Sequence, residues 1–132
     1  MLVEYKSDYQ KIAMGLLSFV PDLKDTQRLI SEMEWYQKED SRRLFLWRSQ
    51  ETNDLVAVIG IEEEDAVVLM RHIAINPSYR NEKLSFKILD AVSEQFAPKK
   101  ISGTLETVSL VTKWQQESAR LKQDNSASPI KE

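Results

Sequence analysis

Apolar residues recur with a two-residue period in some stretches of the chain and with a helical period in others, and the switches between them outline a fold. Leu2 to Lys6 alternates apolar with polar and predicts a first strand. Ser7 or Asp8 can cap a helix over about 9–19, with Ile12, Leu16 and Phe19 on one face, Ala13, Leu17 and Val20 beside it, and Pro21 ending it. Asp25 or Thr26 can cap a second helix to about Glu39, whose buried stripe would be Leu29, Ile30, Met33 and Tyr36. Three strand-like runs follow, over 44–48, 55–61 and 66–75, separated by Thr52-Asn53-Asp54 and by Glu62 to Asp65. Connections this short predict an antiparallel meander, since parallel neighbours need a long crossover.

The third of these runs stops at Asn76-Pro77 and gives way, after a short turn, to a helix with Leu84, Ile88, Ala91, Val92 and Phe96 at helical spacing. A turn of this kind leaves backbone N–H groups unpaired at a helix start, where an anion can sit. Arg80 and Lys83 add charge of the matching sign. Ala97-Pro98 closes the helix, and 99–105 predicts a short strand able to pair in parallel. A last helix over 107–122 would turn Leu110, Val111, Trp114 and Leu121 inward. Residues 1–123 thus read as a single domain and 124–132 as a flexible C-terminal tail.

Composition narrows the function. With 132 residues, 42% of them hydrophobic and 30% charged, the chain can bury one sizeable core. A net charge of −3 without a basic block disfavours a nucleic-acid partner, which needs many Lys and Arg against phosphates. No apolar run approaches the length of a membrane span, so no membrane partner is expected. The absence of cysteine removes disulfides, thiol nucleophiles and thiolate metal sites. Together with an N-terminus unlike a signal peptide, it makes a cytoplasmic location the expectation.

The order β-α-α-β-β-β-α-β-α, with an anion-ready turn after the fourth strand, resembles the GCN5-related N-acetyltransferase (GNAT) superfamily over roughly residues 1–120. In that superfamily the fourth strand ends in an apolar-x-apolar-x-Pro run, here Ile73-Ala74-Ile75-Asn76-Pro77, and the loop Arg/Gln-x-x-Gly-x-Gly/Ala falls on Arg80-Asn81-Glu82-Lys83-Leu84-Ser85. The resemblance implies an α+β fold, a mixed and mainly antiparallel sheet flanked by helices, C-terminally shortened by a pair of strands. It implies acetyl-CoA or coenzyme A as cofactor and an amine of a small molecule as acceptor. Backbone N–H groups at Ile73 or Ile75 would polarise the thioester, and those from Asn81, Glu82, Lys83, Leu84 and Ser85 would hold the pyrophosphate with Arg80. Segments such as 11–19, 44–47 and 71–77 are also similar to the small GNAT-type proteins of riboflavin operons, which implies a link to riboflavin metabolism.

Two departures support an alternative, a non-catalytic GNAT-fold binding or regulatory protein. Lys83 and Ser85 occupy the positions of the loop glycine and of Gly/Ala, and residues 104–123 contain no tyrosine where many members place one. His72, the only histidine, is the candidate base, or else a partly buried ring satisfied by one hydrogen bond. In strict alternation it shares a face with Val68, Met70 and Ala74. Arg71 can bind an acidic group or pair with the meander, and the carboxylates of 62–65 suit a solvated turn better than a metal. Trp35 and Tyr36 are adjacent on a helix and cannot both face one core, so one of them lines a cleft or a partner surface. An exposed Trp35 or an open sheet edge would suit a homodimer.

Overall fold

Five strands form one sheet in the order β1 (Leu2–Glu4), β2 (Arg42–Arg48), β3 (Leu55–Glu63), β4 (Val67–Ile75) and β5 (Lys100–Gly103). The computed structural model describes residues 1–127, apart from the side chains of Glu82 and of residues 124–127. The first four strands are antiparallel to their neighbours, and β5 is parallel to β4. That is the mixed α+β arrangement the element order predicts: short turns join β2, β3 and β4 as an antiparallel meander, a single helix crosses over from β4 to the parallel β5, and the two helices between β1 and β2 return the chain antiparallel. Asn53 supplies the left-handed turn residue between β2 and β3, with φ of 67°, which asparagine tolerates well.

Helices α1 (Gln10–Leu17) and α2 (Thr26–Lys38) cover one face, and α3 (Glu82–Phe96) and α4 (Val108–Ala127) cover the other. On the first face Leu17, Met33 and Tyr36 pack against Leu44, Leu46 and Val58. On the second, Ile88, Leu89 and Val92 pack against Phe45, Ile59 and Ile61. Residues 55–61 are therefore covered on both sides, which explains their nearly unbroken apolar run.

Several expected features differ. Neither Ser7 nor Asp8 caps α1; both lie in a 3-10 turn that leads into it. Ile12, Ile30 and Leu121 are exposed, because each helix buries a narrower stripe than the apolar residues would fill, and Phe19 is exposed in the turn beyond α1, which ends at Leu17 and not at 19. Asp25 does cap α2, accepting from the Gln27 N–H. The last helix continues to Ala127, so the first four residues assigned to a tail are helical, and 128–132 lie outside the described residues.

The largest difference is in β4. Gly60 pairs with His72 and the next residue of β3, Ile61, pairs with Met70, so Arg71 is an extra residue. Val68 and Met70 face α3 and α4, whereas His72 and Ala74 face α1 and α2. Strict alternation places these four together; the bulge turns the second half of the strand over.

Phe45 is buried in the α3–α4 core against Phe96, and Ile12 is not buried. Phe45→Ala should lower the unfolding free energy by about 3–5 kcal/mol. Ile12→Ala should change it by no more than about 0.5 kcal/mol, both read from urea unfolding.

Candidate active site

The ladder between β4 and β5 joins Val67–Met70 to Lys100–Gly103 and ends there. Thr107 donates its hydroxyl to the Met70 carbonyl at 2.5 Å and accepts the Thr104 N–H at 3.0 Å, fixing the start of α4 at this point. Gly103 permits it: a Cβ there would lie 2.7 Å from the Val108 Cα. Beyond the bulge, β4 keeps β3 on one side and turns its other side to a cavity of about 510 Å³.

Strand parity identifies the groups on that open side. The Asn76 N–H points to the Val56 carbonyl of β3 at 2.8 Å, so the main-chain groups of Ile73 and Ile75 point away from β3. The Arg80 Nε–H donates to the Ile75 carbonyl at 3.2 Å, which agrees with that direction. The Ile75 side chain is buried and that of Ile73 partly so, both packing on the α3–α4 core.

The start of α3 closes one end of the cavity, where Ser85 and Arg80 line it. Asn81 is the cap: its side chain accepts the Leu84 N–H at 2.7 Å, and its carbonyl accepts the Ser85 N–H at 3.3 Å. Two of the five N–H groups expected to hold a pyrophosphate are thus engaged within the helix start. The other three, the N–H groups of Asn81, Glu82 and Lys83, are ones a helix start leaves without an intrahelical partner. Lys83 is exposed beside them, and the Glu82 side chain lies outside the described residues.

A second cavity of about 620 Å³ adjoins the first, lined by Asp22, Asp25, Glu32, Glu106, Arg28 and Trp35 among others. Arg71, His72, Asp22 and Glu106 line both. The Glu106 carboxylate is held below its usual range by its own backbone N–H and by the Thr104 hydroxyl at 3.0 Å. Of the adjacent aromatics, Tyr36 is buried and Trp35 is the one that faces the cleft.

His72 sits at the junction, its Nδ1 2.6 Å from the Tyr36 hydroxyl. Burial lowers its pKa from 6.5, with Arg71 and Arg42 acting the same way and Glu32 and Glu106 opposing. Burial likewise pushes the Tyr36 phenol up, with Glu32 adding to the effect. Arg71 pairs with Glu62 at 3.2 Å, so of its two expected roles the structure shows the pairing with the meander. Glu62 also meets Arg42 at 3.7 Å, and Glu63 meets Lys99 at 2.8 Å. The acidic turn is partly tied into the sheet, and no cluster among the described residues is arranged to hold a metal. No helix of the described residues is long and apolar enough to cross a membrane.

The residue pattern places the helix start after Asn76-Pro77, and the family resemblance names Ile73 and Ile75. Neither indicates that the sheet opens there, nor that Tyr36, Glu106 and Asp22 stand beside it. Tyr36 lies in a core stripe, and only its adjacency to Trp35 marked it; Asp22 and Glu106 carry no local signal at all.

A sheet opened between β4 and β5, with an anion-ready helix start at the end of the opening, is an acetyltransferase architecture, and the comparisons agree. The sequence matches the acetyltransferase (GNAT) family over residues 7–122, and the chain belongs to that family. By class it is an acetyl-CoA-dependent N-acetyltransferase. It is 35% identical over 114 residues, 86% of this chain and 93% of the other, to an uncharacterized N-acetyltransferase in the lysA 3′ region of Bacillus methanolicus. In fold it is similar to an aminoglycoside N-acetyltransferase in complex with CoA (TM-score 0.66, 12% identity, 89% of this chain and 84% of that one). It is also similar to a chimera built on a spermidine N-acetyltransferase of Vibrio cholerae (TM-score 0.62, 12% identity, 88% and 78%).

The lowered His72 pKa has a consequence for stability. The unfolded chain takes up a proton at higher pH than the folded one, so stability should fall as pH drops below about 6.5 through the folded value. His72→Gln should remove that part of the slope, as measured by urea midpoints from neutral pH down to about pH 5.

Proposed function

We propose that the protein transfers an acetyl group from acetyl-CoA to an amine of a small cationic molecule. The observation that carries this reading is the β4 edge left open beyond Met70, with the Ile73 and Ile75 main chain turned into a cavity that ends at the start of α3. The residues present fit the cofactor: outward N–H groups along the edge suit amide-rich pantetheine, and the helix start with Arg80 suits a diphosphate. Lys83 in place of glycine keeps its backbone N–H in the helix start and brings an ammonium near the anion.

Bound acetyl-CoA supplies a thioester carbonyl open to direct attack by an amine. Around it, the N–H groups of Ile73 and Ile75 orient and polarise, and the buried Ile75 side chain keeps the edge rigid. Asp22 and Glu106, which line both cavities, draw the acceptor's ammonium to the junction. In the transfer a C–N bond forms and the C–S bond breaks. The proton lost by nitrogen passes by way of these carboxylates and water, and the sulfur leaves as thiolate, which takes up a proton from solvent. The acidic lining of the second cavity, set against Arg28 and Arg71, favours a cationic acceptor with a further positive group beyond the reacting amine. The polyamine and aminoglycoside substrates named for the two fold neighbours have the same chemistry.

The non-catalytic reading is favoured by one structural observation, the Asn81 side chain already seated on the Leu84 N–H. A link to riboflavin metabolism rests on the sequence resemblance alone, and the relative in the lysA 3′ region adds nothing to it.

Calorimetric titration with acetyl-CoA, with desulfo-coenzyme A and FMN as comparators, is the test, run on the wild type and on Arg80→Ala. Saturable acetyl-CoA binding, weakened about tenfold or more in Arg80→Ala through loss of a charge-assisted contact, is the expected result. Thiol release with di- and polyamines above background then establishes transfer, and binding without turnover supports the regulatory reading. Absence of acetyl-CoA binding would overturn the proposal.

A further inference from the structure

The hydrogen bond between Tyr36 and His72 fixes which ring nitrogen carries a proton, and that decides what the only histidine can do. The phenol is buried and protonated, and its O–H needs an acceptor. Among the described residues the one acceptor hydrogen-bonded to it is His72 Nδ1, at 2.6 Å. The guanidinium groups near the pair, Arg71 and Arg42, carry donors only and cannot take that hydrogen. Tyr36 therefore donates, Nδ1 accepts, and the neutral ring holds its proton on Nε2.

The contact is built, not incidental. Tyr36 lies edge-on to the imidazole, with ring centroids 5.8 Å apart. It lies directly over Gly60, the β3 partner of His72, where a Cβ would be 2.0 Å from the phenol oxygen. Any side chain at position 60 displaces the hydroxyl, so a glycine opposite His72 is what lets α2 deliver it. On the other side, the bulge at Arg71 turns His72 toward α2. The groups that face His72 are Tyr36 and Glu32 from α2, Arg42 from β2, Arg71 from β4 and Glu106 ahead of α4.

We infer that Tyr36 is a positioning residue that makes His72 an N–H donor at the junction of the two cavities, and not a base. Rotation of the ring is blocked by the Nδ1 contact, and the opposite nitrogen, on the far side of the ring, is the one left for the cleft that His72 lines. An Nε2–H there can donate to the oxygen that gains negative charge as the amine attacks the thioester, next to the Ile73 N–H. This role rests on the acetyl-transfer reading, whereas the tautomer itself does not.

Nitrogen-15 NMR of the ligand-free protein tests the tautomer without any turnover, and the single histidine gives a single pattern. The wild type should show a protonated Nε2 and a bare Nδ1 at neutral pH. Tyr36→Phe, which removes one oxygen, should mix the tautomers, because nothing then donates to Nδ1 and holds it bare. In turnover, His72→Ala should lose about a hundredfold or more in kcat with little change in KM. His72→Gln, which keeps an N–H donor, should recover part of that loss without changing the shape of the pH profile. A wild-type Nδ1–H tautomer, or a pattern that Tyr36→Phe leaves unchanged, would overturn the inference. So would His72→Gln as inactive as His72→Ala. If no amine is acetylated while NMR shows the Nε2–H form, the transfer reading fails and the positioning by Tyr36 stands.

Discussion

One residue too many in β4 sets the geometry of everything around the cleft. Where β3 advances from Gly60 to Ile61, β4 advances from His72 to Met70, and the unpaired Arg71 reverses the two faces of the strand. Val68 and Met70 stay with α3 and α4, while His72 is delivered to Tyr36 on α2. The parallel ladder with β5 reaches Met70 and ends at the same place, where Thr107 takes the last carbonyl. A sheet that paired without the extra residue would bury His72 against α3 and α4, far from the phenol.

Charge accumulates beside the bulge but is paired along a line: Glu32 with Arg42, Arg42 with Glu62, and Glu62 with Arg71. Arg42 is almost fully buried and also lies 3.6 Å over the Trp35 ring, which helps to replace its lost hydration. Buried ion pairs of this sort contribute little net stability, since desolvation offsets most of the attraction. What they do here is hold α2, β2, β3 and β4 in one arrangement, so that Tyr36, Trp35 and His72 stand on regular elements and not on loops.

Much of this was legible in the sequence, because hydrophobic period and turn chemistry report directly on local backbone. The antiparallel meander of β2, β3 and β4, the capacity of β5 to pair in parallel and the turn after Asn76-Pro77 follow from such signals, whereas the place of β1 beside β2 does not. The face assignment in β4 failed because alternation presumes an unbroken ladder, and a bulge at Arg71 leaves no mark in residue type. Ile12, Phe19, Ile30 and Leu121 misled for another reason: apolar residues on a surface are common, and only packing decides which ones are covered. Glu106 and Asp22 become site residues only when a turn before α4 and a turn before α2 meet across the cleft, and no local pattern encodes that meeting.

The Asn81 side chain seated on the Leu84 N–H makes the start of α3 self-sufficient. The helix keeps its cap whether or not an anion lies against it, so the domain does not depend on its ligand to complete its fold. An incoming diphosphate would exchange one partner for another at that N–H, and the gain from the exchange is smaller than from filling a vacant donor, by on the order of the 1 kcal/mol a cap contributes. On the proposed reading, the first turn of α3 would thus trade some affinity for independence of its ligand.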